Sequence, residues 1–300
     1  MRLITDLTEY SKDRPLGIAL GTFDGVHIGH RAVIDTAVSD EDSVPAVFTF
    51  AQSPAGLIQG TAVPALCSRE HKLRMLAQLG IELCFMPEFA AVRQLPPAGF
   101  VLLLKNLGVR RVCCGFNFRF GKDKTGSAAE LSRLCSDNDM QATVVPPVVD
   151  GGLPVSSSRI RELLQNGQIK DANRLLTNPF TLDFQVSAGE HRGGSIFDAP
   201  TLNQKLPPGF IHPKYGVYAS KTHIDGLVYK SITNVGVHPT VGKQQPCAET
   251  NVFGFSGDLY GRRVLVELHD FLRPEQQFEN IDALKAAIMR DIGIVEQMDY

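Results

Sequence analysis

The sequence predicts two domains in series: an α/β domain built on a parallel sheet, then a small antiparallel β-barrel followed by a C-terminal helix. Three observations carry this. The chain has 300 residues, more than one average domain. Its first half alternates apolar runs of strand length with segments of helical period, joined by short turns. Its second half shows short β-rich runs separated by Gly, Pro and Asn, until one last helical stretch.

In the first half, 16–20 (Leu-Gly-Ile-Ala-Leu) is a buried strand and 31–38 a helix; residues before Leu16 form an introductory segment. A second strand is predicted over 45–50, and Ser68 caps a helix running through Met75 and Leu76. Further strands follow at 81–86, 109–115 and 142–149, with a helix at 98–106 stopped by Gly108. A short helix over 168–176 is broken by Thr177-Asn178-Pro179, which places the boundary between domains 1–178 and 179–300. In the second half, β-rich runs at 181–188, 216–220, 227–235, 250–255 and 263–268 predict the barrel. A final helix over about 281–292 carries Ile281, Leu284, Ile288 and Ile292 on one stripe.

The segment joining the first strand to the first helix carries the chemistry. It reads Gly21-Thr22-Phe23-Asp24-Gly25-Val26-His27-Ile28-Gly29-His30. A strand-to-helix turn at the carboxyl end of a parallel strand is where open α/β sheets bind ligands. Glycines let a phosphate approach the backbone, and the N–H groups of the new helix face an anion. His27 and His30, three residues apart, share a face. Two imidazoles and a helix N-terminus aimed at one point suit a polyphosphate whose charge grows during nucleotidyl transfer.

Two later turns add to this. Gly115-Phe116-Asn117-Phe118-Arg119-Phe120-Gly121-Lys122, with Gly126 beyond it, places three aromatics and a central Asn at a strand end, suited to holding an aromatic ring system. Ser156-Ser157-Ser158-Arg159-Ile160-Arg161 caps a helix and puts two arginines in its first turn. Arginine there opposes the helix dipole, which makes sense where a guanidinium grips an anion.

Bulk properties exclude other classes. A formal charge of −2 gives no reason for a nucleic-acid or anionic-membrane partner. There is no signal-peptide pattern and no apolar run long enough to span a bilayer, so a cytoplasmic location is expected. The six cysteines (Cys67, Cys84, Cys113, Cys114, Cys135 and Cys247) form no Cys-x-x-Cys pair. They read as buried reduced thiols rather than a zinc site or disulfide framework.

Taken in order, the motifs at 21–30, 115–121 and 156–161 resemble the FMN adenylyltransferase module of the bacterial bifunctional riboflavin kinase/FAD synthetase family. That family belongs to the His-x-Gly-His nucleotidyltransferases with a Rossmann-like core. The resemblance implies that His27 and His30 stabilise the ATP phosphates. It places Gly21, Thr22, Phe23, Gly29 and Asn117 at the nucleotide and substrate, and Ser157, Ser158 and Arg161 at the phosphate tail. One departure is that Thr49-Phe50 leads to Ser53-Pro54, where the family has His-Pro.

The second half resembles the riboflavin kinase module of the same family. The matching pieces include Pro200-Thr201-Leu202-Asn203, Asn234-Val235-Gly236-Val237-His238-Pro239-Thr240 and Ala248-Glu249-Thr250. The resemblance implies that Thr201 and Asn203 serve Mg²⁺ and ATP through hard oxygens, and that Glu249 is the general base on the riboflavin 5′-hydroxyl. It departs from the family at Asp198-Ala199, where a Gly-Phe is usual, and at Asn251, where a histidine is usual. The implied substrates are ATP, riboflavin and FMN. Alternatives are an adenylyltransferase with an inactive flavin-binding kinase-like domain, a nucleotidyltransferase for another phosphate acceptor such as phosphopantetheine, and a non-enzymatic flavin-binding regulator.

Overall fold

The alternation along Leu16-Gly17-Ile18-Ala19-Leu20 sets the packing of the first half. In the computed structural model, which describes residues 1–51, 63–187, 201–237 and 245–299, this run is β2 of a sheet whose pairings are all parallel. The first half runs β1 (Arg2–Ile4), β2 (Leu16–Leu20), α1 (Ile28–Val38), β3 (Val44–Phe48), α2 (Arg69–Gln78), β4 (Leu83–Phe85), α3 (Phe89–Val92), α4 (Pro97–Asn106) and β5 (Val109–Gly115). A small hairpin of β6 (Arg119–Phe120) and β7 (Gly126–Ser127) precedes α5 (Ala128–Ser136) and β8 (Gln141–Val145). A second hairpin, β9 (Val149–Asp150) and β10 (Leu153–Pro154), follows. Strand order is β1-β4-β3-β2-β5-β8.

Leu16, Ile18 and Leu20 are buried in one cluster with Val101 and Leu104 of α4 and Leu131 of α5. Gly17 lies on the opposite face of the strand, where a Cβ would come within 3.2 Å of the Ala37 carbonyl of α1. The small residues of the run therefore let α1 approach the strand that feeds it. The chain leaves β2 toward β3 and β4, then returns to β5 on its other side. This reversal makes the carboxyl end of β2 the switch point of the sheet.

The second half begins with α6 (Ser157–Gln165) and α7 (Ile169–Leu175). A closed barrel follows, of β11 (Thr181–Ser187), β12 (Thr201–Lys205), β13 (Gly216–Ile224), β14 (Leu227–Val237), β15 (Pro246–Val252) and β16 (Arg263–Pro274), then α8 (Ile281–Gln297). Barrel order is β11-β12-β15-β14-β13-β16 with antiparallel pairing. Its interior is partly polar. Ser220 bonds Ser231 and Thr233 at 2.8 Å each, Thr222 donates to Ser231 at 2.8 Å, and Thr233 meets Thr250 at 2.9 Å.

By packing, the chain groups into Met1–Ala65 with Arg69–Ser156, and Leu66–Ser68 with Ser157–Tyr300. The helices α6 and α7 thus belong with the barrel. Asn173 of α7 donates to the Leu268 carbonyl at 2.8 Å and accepts from the Phe180 N–H at 2.8 Å.

Several elements differ from expectation. The segment before Leu16 contains β1, which pairs with β4. Strand β12 had no predicted counterpart, and β15 lies earlier than the 250–255 run. Strands β13 and β16 and helix α8 extend beyond their predicted ends. Cysteines 67, 84, 113, 114 and 135 are buried thiols, as read from the sequence, and the Cys247 thiol is half-buried. No helix among the described residues is long and apolar enough to cross a membrane.

Candidate active sites

At the end of β2 the backbone takes an unusual path. Phe23 and Val26 have φ of 47° and 40°, and Gly25 lies between them at 78°. The left-handed region is unfavourable for Phe and more so for β-branched Val, costing roughly 1–3 kcal/mol per residue. Such strain persists where surrounding structure enforces it, and both side chains are buried. The bend delivers the chain to α1, whose N-cap is His27. Helix α1 therefore begins one residue after His27, three residues earlier than the predicted start at Arg31.

His27 Nδ1 accepts the His30 N–H at 3.1 Å. That N–H is spent inside the motif. An accepting Nδ1 also fixes His27 as a neutral ring whose donor is Nε2. The two imidazoles stack, with centroids 3.5 Å apart and planes at 14°. Phe23 meets His30 edge-on at 5.3 Å. Gly29 is needed here because a Cβ would sit 3.2 Å from Cε1 and Nδ1 of His27. A Cβ at Gly21 would touch the Phe23 ring at 3.0 Å. Burial, His27 and the Lys72 ammonium hold His30 well below the usual imidazole value of 6.5. The Nδ1 atom of His30 is buried without a hydrogen-bond partner.

The Thr22 carbonyl accepts from Thr49 Oγ1 at 3.0 Å and from Lys72 Nζ at 3.0 Å. Lys72 was not among the residues the sequence singled out. It lies on the buried stripe of α2 with Met75 and Leu76. A lysine where that stripe demands an apolar residue was the available signal. Beside it, Arg69, Phe50, Met86 and Phe89 line a cavity of about 270 Å³. Thr5 and Glu88 line it as well, so the wall is mixed, with one arginine and one carboxylate.

The 115–121 turn departs from the expectation of three ring-binding aromatics. Phe120 is buried and packs on Phe100 at 5.6 Å. Gly126 lies against the Phe120 ring, leaving no room for a Cβ. Phe118 stacks on Phe120 at 5.8 Å. These two belong to the core; only Phe116, exposed like Asn117, points outward. Ser157, Ser158 and Arg161 lie in the first turn of α6, within the second unit.

The barrel presents a second constellation. Leu202 and Gln204 of β12 face inward, so Thr201 and Asn203 face outward. The same alternation turns Glu249 and Asn234 outward, because Ala248, Thr250, Thr233 and Val235 are buried. Asn203 pairs with Glu249, and Glu249 pairs with Asn234, at one rung across β12, β15 and β14. Directly opposed residues on one face are in contact range. Asn203 Nδ2 donates to the Thr201 carbonyl at 3.2 Å, which turns its Oδ1 away as a free acceptor direction. Thr201 lines a cavity of about 150 Å³ with Asp258 and Tyr260. Asn251 pairs with Thr201. Ser53-Pro54, Asp198-Ala199 and His238-Pro239-Thr240 lie outside the described residues.

Residues 9–159 match the family model for FAD synthetase, and residues 176–298 match the model for riboflavin kinase. The chain belongs to the bifunctional riboflavin kinase/FMN adenylyltransferase family. A Bacillus subtilis protein of that name is 34% identical over 286 residues, 91% of this chain and 89% of the relative. An Escherichia coli K12 protein of that name is 33% identical over 306 residues, covering 97% and 96%. A Streptococcus pneumoniae crystal structure, described as a macrolide-efflux protein, aligns over 99% of both chains with a TM-score of 0.86 and 26% identity. Family membership joins the two constellations in one chain, as the paired motifs implied.

Proposed function

We propose that this chain makes FAD from riboflavin in two ATP-dependent steps, one in each half. The observation that carries this is the pairing of family matches: an FAD synthetase model over the histidine motif and a riboflavin kinase model over the barrel. In the barrel, the riboflavin 5′-hydroxyl attacks the γ-phosphorus of ATP, ADP leaves, and FMN forms. A hydroxyl is a poor nucleophile, so a carboxylate must take its proton; Glu249, between Asn203 and Asn234, is assigned that role. In the α/β half, an FMN phosphate oxygen attacks the α-phosphorus of a second ATP, and the Pα–O–Pβ bond breaks to release pyrophosphate. No protein nucleophile is needed. The residues align the reactants and stabilise the charge growing on pyrophosphate.

His27 and His30 are assigned to the ATP phosphates as neutral donors. His27 is neutral because its Nδ1 accepts, and His30 because its pKa is held low. Gly21, Thr22, Phe23 and Gly29 shape the turn. Asn117 is assigned to substrate, and Ser157, Ser158 and Arg161 to the phosphate tail. The division at 178/179 is proposed as the boundary between the two activities.

The donor set at Thr201 and Asn203 fits magnesium. It offers a hydroxyl and an amide oxygen, both hard, and no group of three His, Cys, Asp or Glu side chains gathers anywhere among the described residues. An ion that keeps waters and binds phosphate oxygens needs no more from the protein. When bound, it would neutralise charge on the β- and γ-phosphates. The site chemistry fits an enzyme acting on small molecules.

The test is a time course with purified chain, ATP and Mg²⁺, started in parallel from riboflavin and from FMN, with flavins separated by chromatography. FAD from both starts is expected. FAD from FMN alone would leave the barrel as a flavin-binding module.

A further inference from the structure

The site in the α/β half takes no positive charge from its histidine motif. It is built to stabilise a polyphosphate, yet both motif histidines are neutral. The buried cation beside them is Lys72, only 4% exposed. Its ammonium donates to the Thr22 carbonyl at 3.0 Å and to the Phe50 carbonyl at 3.0 Å. Those carbonyls belong to the chain just past β2 and β3, neighbouring central strands of which β2 is the one at the switch point. Thr22 opens the histidine motif, and Phe50 lines the 270 Å³ cavity. The lysine therefore ties together the two parts of the site.

Both partners are neutral dipoles. Among the described residues no carboxylate pairs with Lys72, and two acceptors leave one of its three donors unused. A buried charge without a counter-ion is strongly unfavourable, and proteins ordinarily pair it.

We propose that Lys72 supplies the buried positive charge of the adenylyl-transfer site, with its counter-charge provided by the phosphate groups of the bound substrates. By holding the Thr22 and Phe50 carbonyls it also turns two partial negative charges away from the phosphates, which makes it a positioning residue. This rests on the reading of His27 and His30 as the polyphosphate site.

The experiment uses the full chain and inorganic pyrophosphate, the product of this half-reaction, titrated by calorimetry into the parent chain and into Lys72→Met, Lys72→Arg and His30→Ala. Lys72→Met is expected to weaken pyrophosphate about tenfold or more, the scale of one charge-assisted contact. It should lower kcat for FAD formation without changing riboflavin phosphorylation. Lys72→Arg keeps the charge and is expected to bind within about threefold of the parent, a difference of well under 1 kcal/mol. Parent-like binding by Lys72→Met overturns the proposal. Equal weakening in Lys72→Arg assigns the residue to packing and also overturns it, as does loss of riboflavin phosphorylation and of the folding transition in both variants. Parent-like binding by His30→Ala overturns the reading of the histidine site itself, and the proposal with it. A failure confined to Lys72→Met leaves that reading standing.

Discussion

Replacing Gly29 with alanine adds one methyl group at a place where its consequences follow from the local geometry. The new Cβ would lie 3.2 Å from Cε1 and Nδ1 of His27. Comfortable carbon contacts begin near about 3.5 Å, so the ring must retreat by roughly 0.3 Å. The bond from His30 N–H to His27 Nδ1 is already 3.1 Å, and the same retreat takes it toward the limit of a useful hydrogen bond. Losing an N-cap costs about 0.5–2 kcal/mol, while alanine in place of glycine returns up to about 1 kcal/mol of helix propensity. Overall stability should thus change by about 1 kcal/mol or less. Activity should change more, because a misplacement of about 1 Å costs about 100-fold in positioned reactions. A shift of one-third that size predicts a loss of about fivefold to tenfold in FAD formation from FMN. Initial rates of FAD formation are measured beside riboflavin phosphorylation, which reports on the other half of the same chain. A parent-like adenylylation rate in the folded variant would refute the reasoning, and so would a parallel fall in both rates.

Three further expectations follow from burial and charge. The folded pKa of His30 lies below its unfolded value of 6.5, so its contribution to stability is present above that value and lost as pH falls through the folded pKa. Denaturant melts of the first half should weaken between pH 6.5 and mildly acid pH, and His30→Asn should flatten that slope; an unchanged slope contradicts the burial account. Cys84 and Cys114 are pushed up to about 12, and Cys113 and Cys135 to about 11, by burial. A thiol reagent at neutral pH should mark half-buried Cys247 first in peptide mapping of the native chain, and early labelling of Cys84 or Cys114 would contradict the packing. Asp183 of β11, 1% exposed, takes Arg263 Nε at 2.8 Å and Ser68 Oγ at 3.0 Å. Asp183→Ala should destabilise the barrel by about 1–3 kcal/mol, since it removes the buried acceptor of the Arg263 and Ser68 side-chain hydrogen bonds; a loss below about 0.5 kcal/mol in a denaturant titration would contradict this.

The parts of the molecule that were legible in the sequence are those where one physical rule acts alone. Strand β5 was predicted at its observed bounds because Val109 and the apolar run Val112-Cys113-Cys114 are buried and Gly108 punctuates the start. The barrel strands were harder because their interior is not purely apolar. Ser220, Thr222, Ser231, Thr233 and Thr250 satisfy one another inside, and this blurs the inside-outside contrast on which a period-two pattern depends. Strand β12 was missed for the same reason: Thr-Leu-Asn-Gln-Lys looks exposed, yet Gln204 is fully buried and donates to the Phe184 and Val264 carbonyls. Strand β1 is three residues long and is held by a partner far along the chain, β4, so no local signal marks it.

At the sites, motifs revealed residue types and their chemistry but not their states. The spacing of His27 and His30 predicted a shared face. The N-cap bond that keeps His27 neutral and the burial that keeps His30 neutral follow a backbone bend with positive φ at Phe23 and Val26, which sequence does not announce. Phe118 and Phe120 looked like ligand-binding aromatics because their core partner, Phe100, comes from a separate helix. Lys72 was hidden in an amphipathic stripe whose neighbours are ordinary core residues.

The central claim is that one chain carries two independent phosphoryl-chemistry sites. It is tested most directly by comparing His30→Ala and Glu249→Ala, each started separately from riboflavin and from FMN with ATP and Mg²⁺. The account predicts that His30→Ala accumulates FMN from riboflavin and makes no FAD from either start. It predicts that Glu249→Ala converts FMN to FAD at the parent rate and leaves riboflavin untouched. Equal loss of both activities from either substitution would contradict two separate sites.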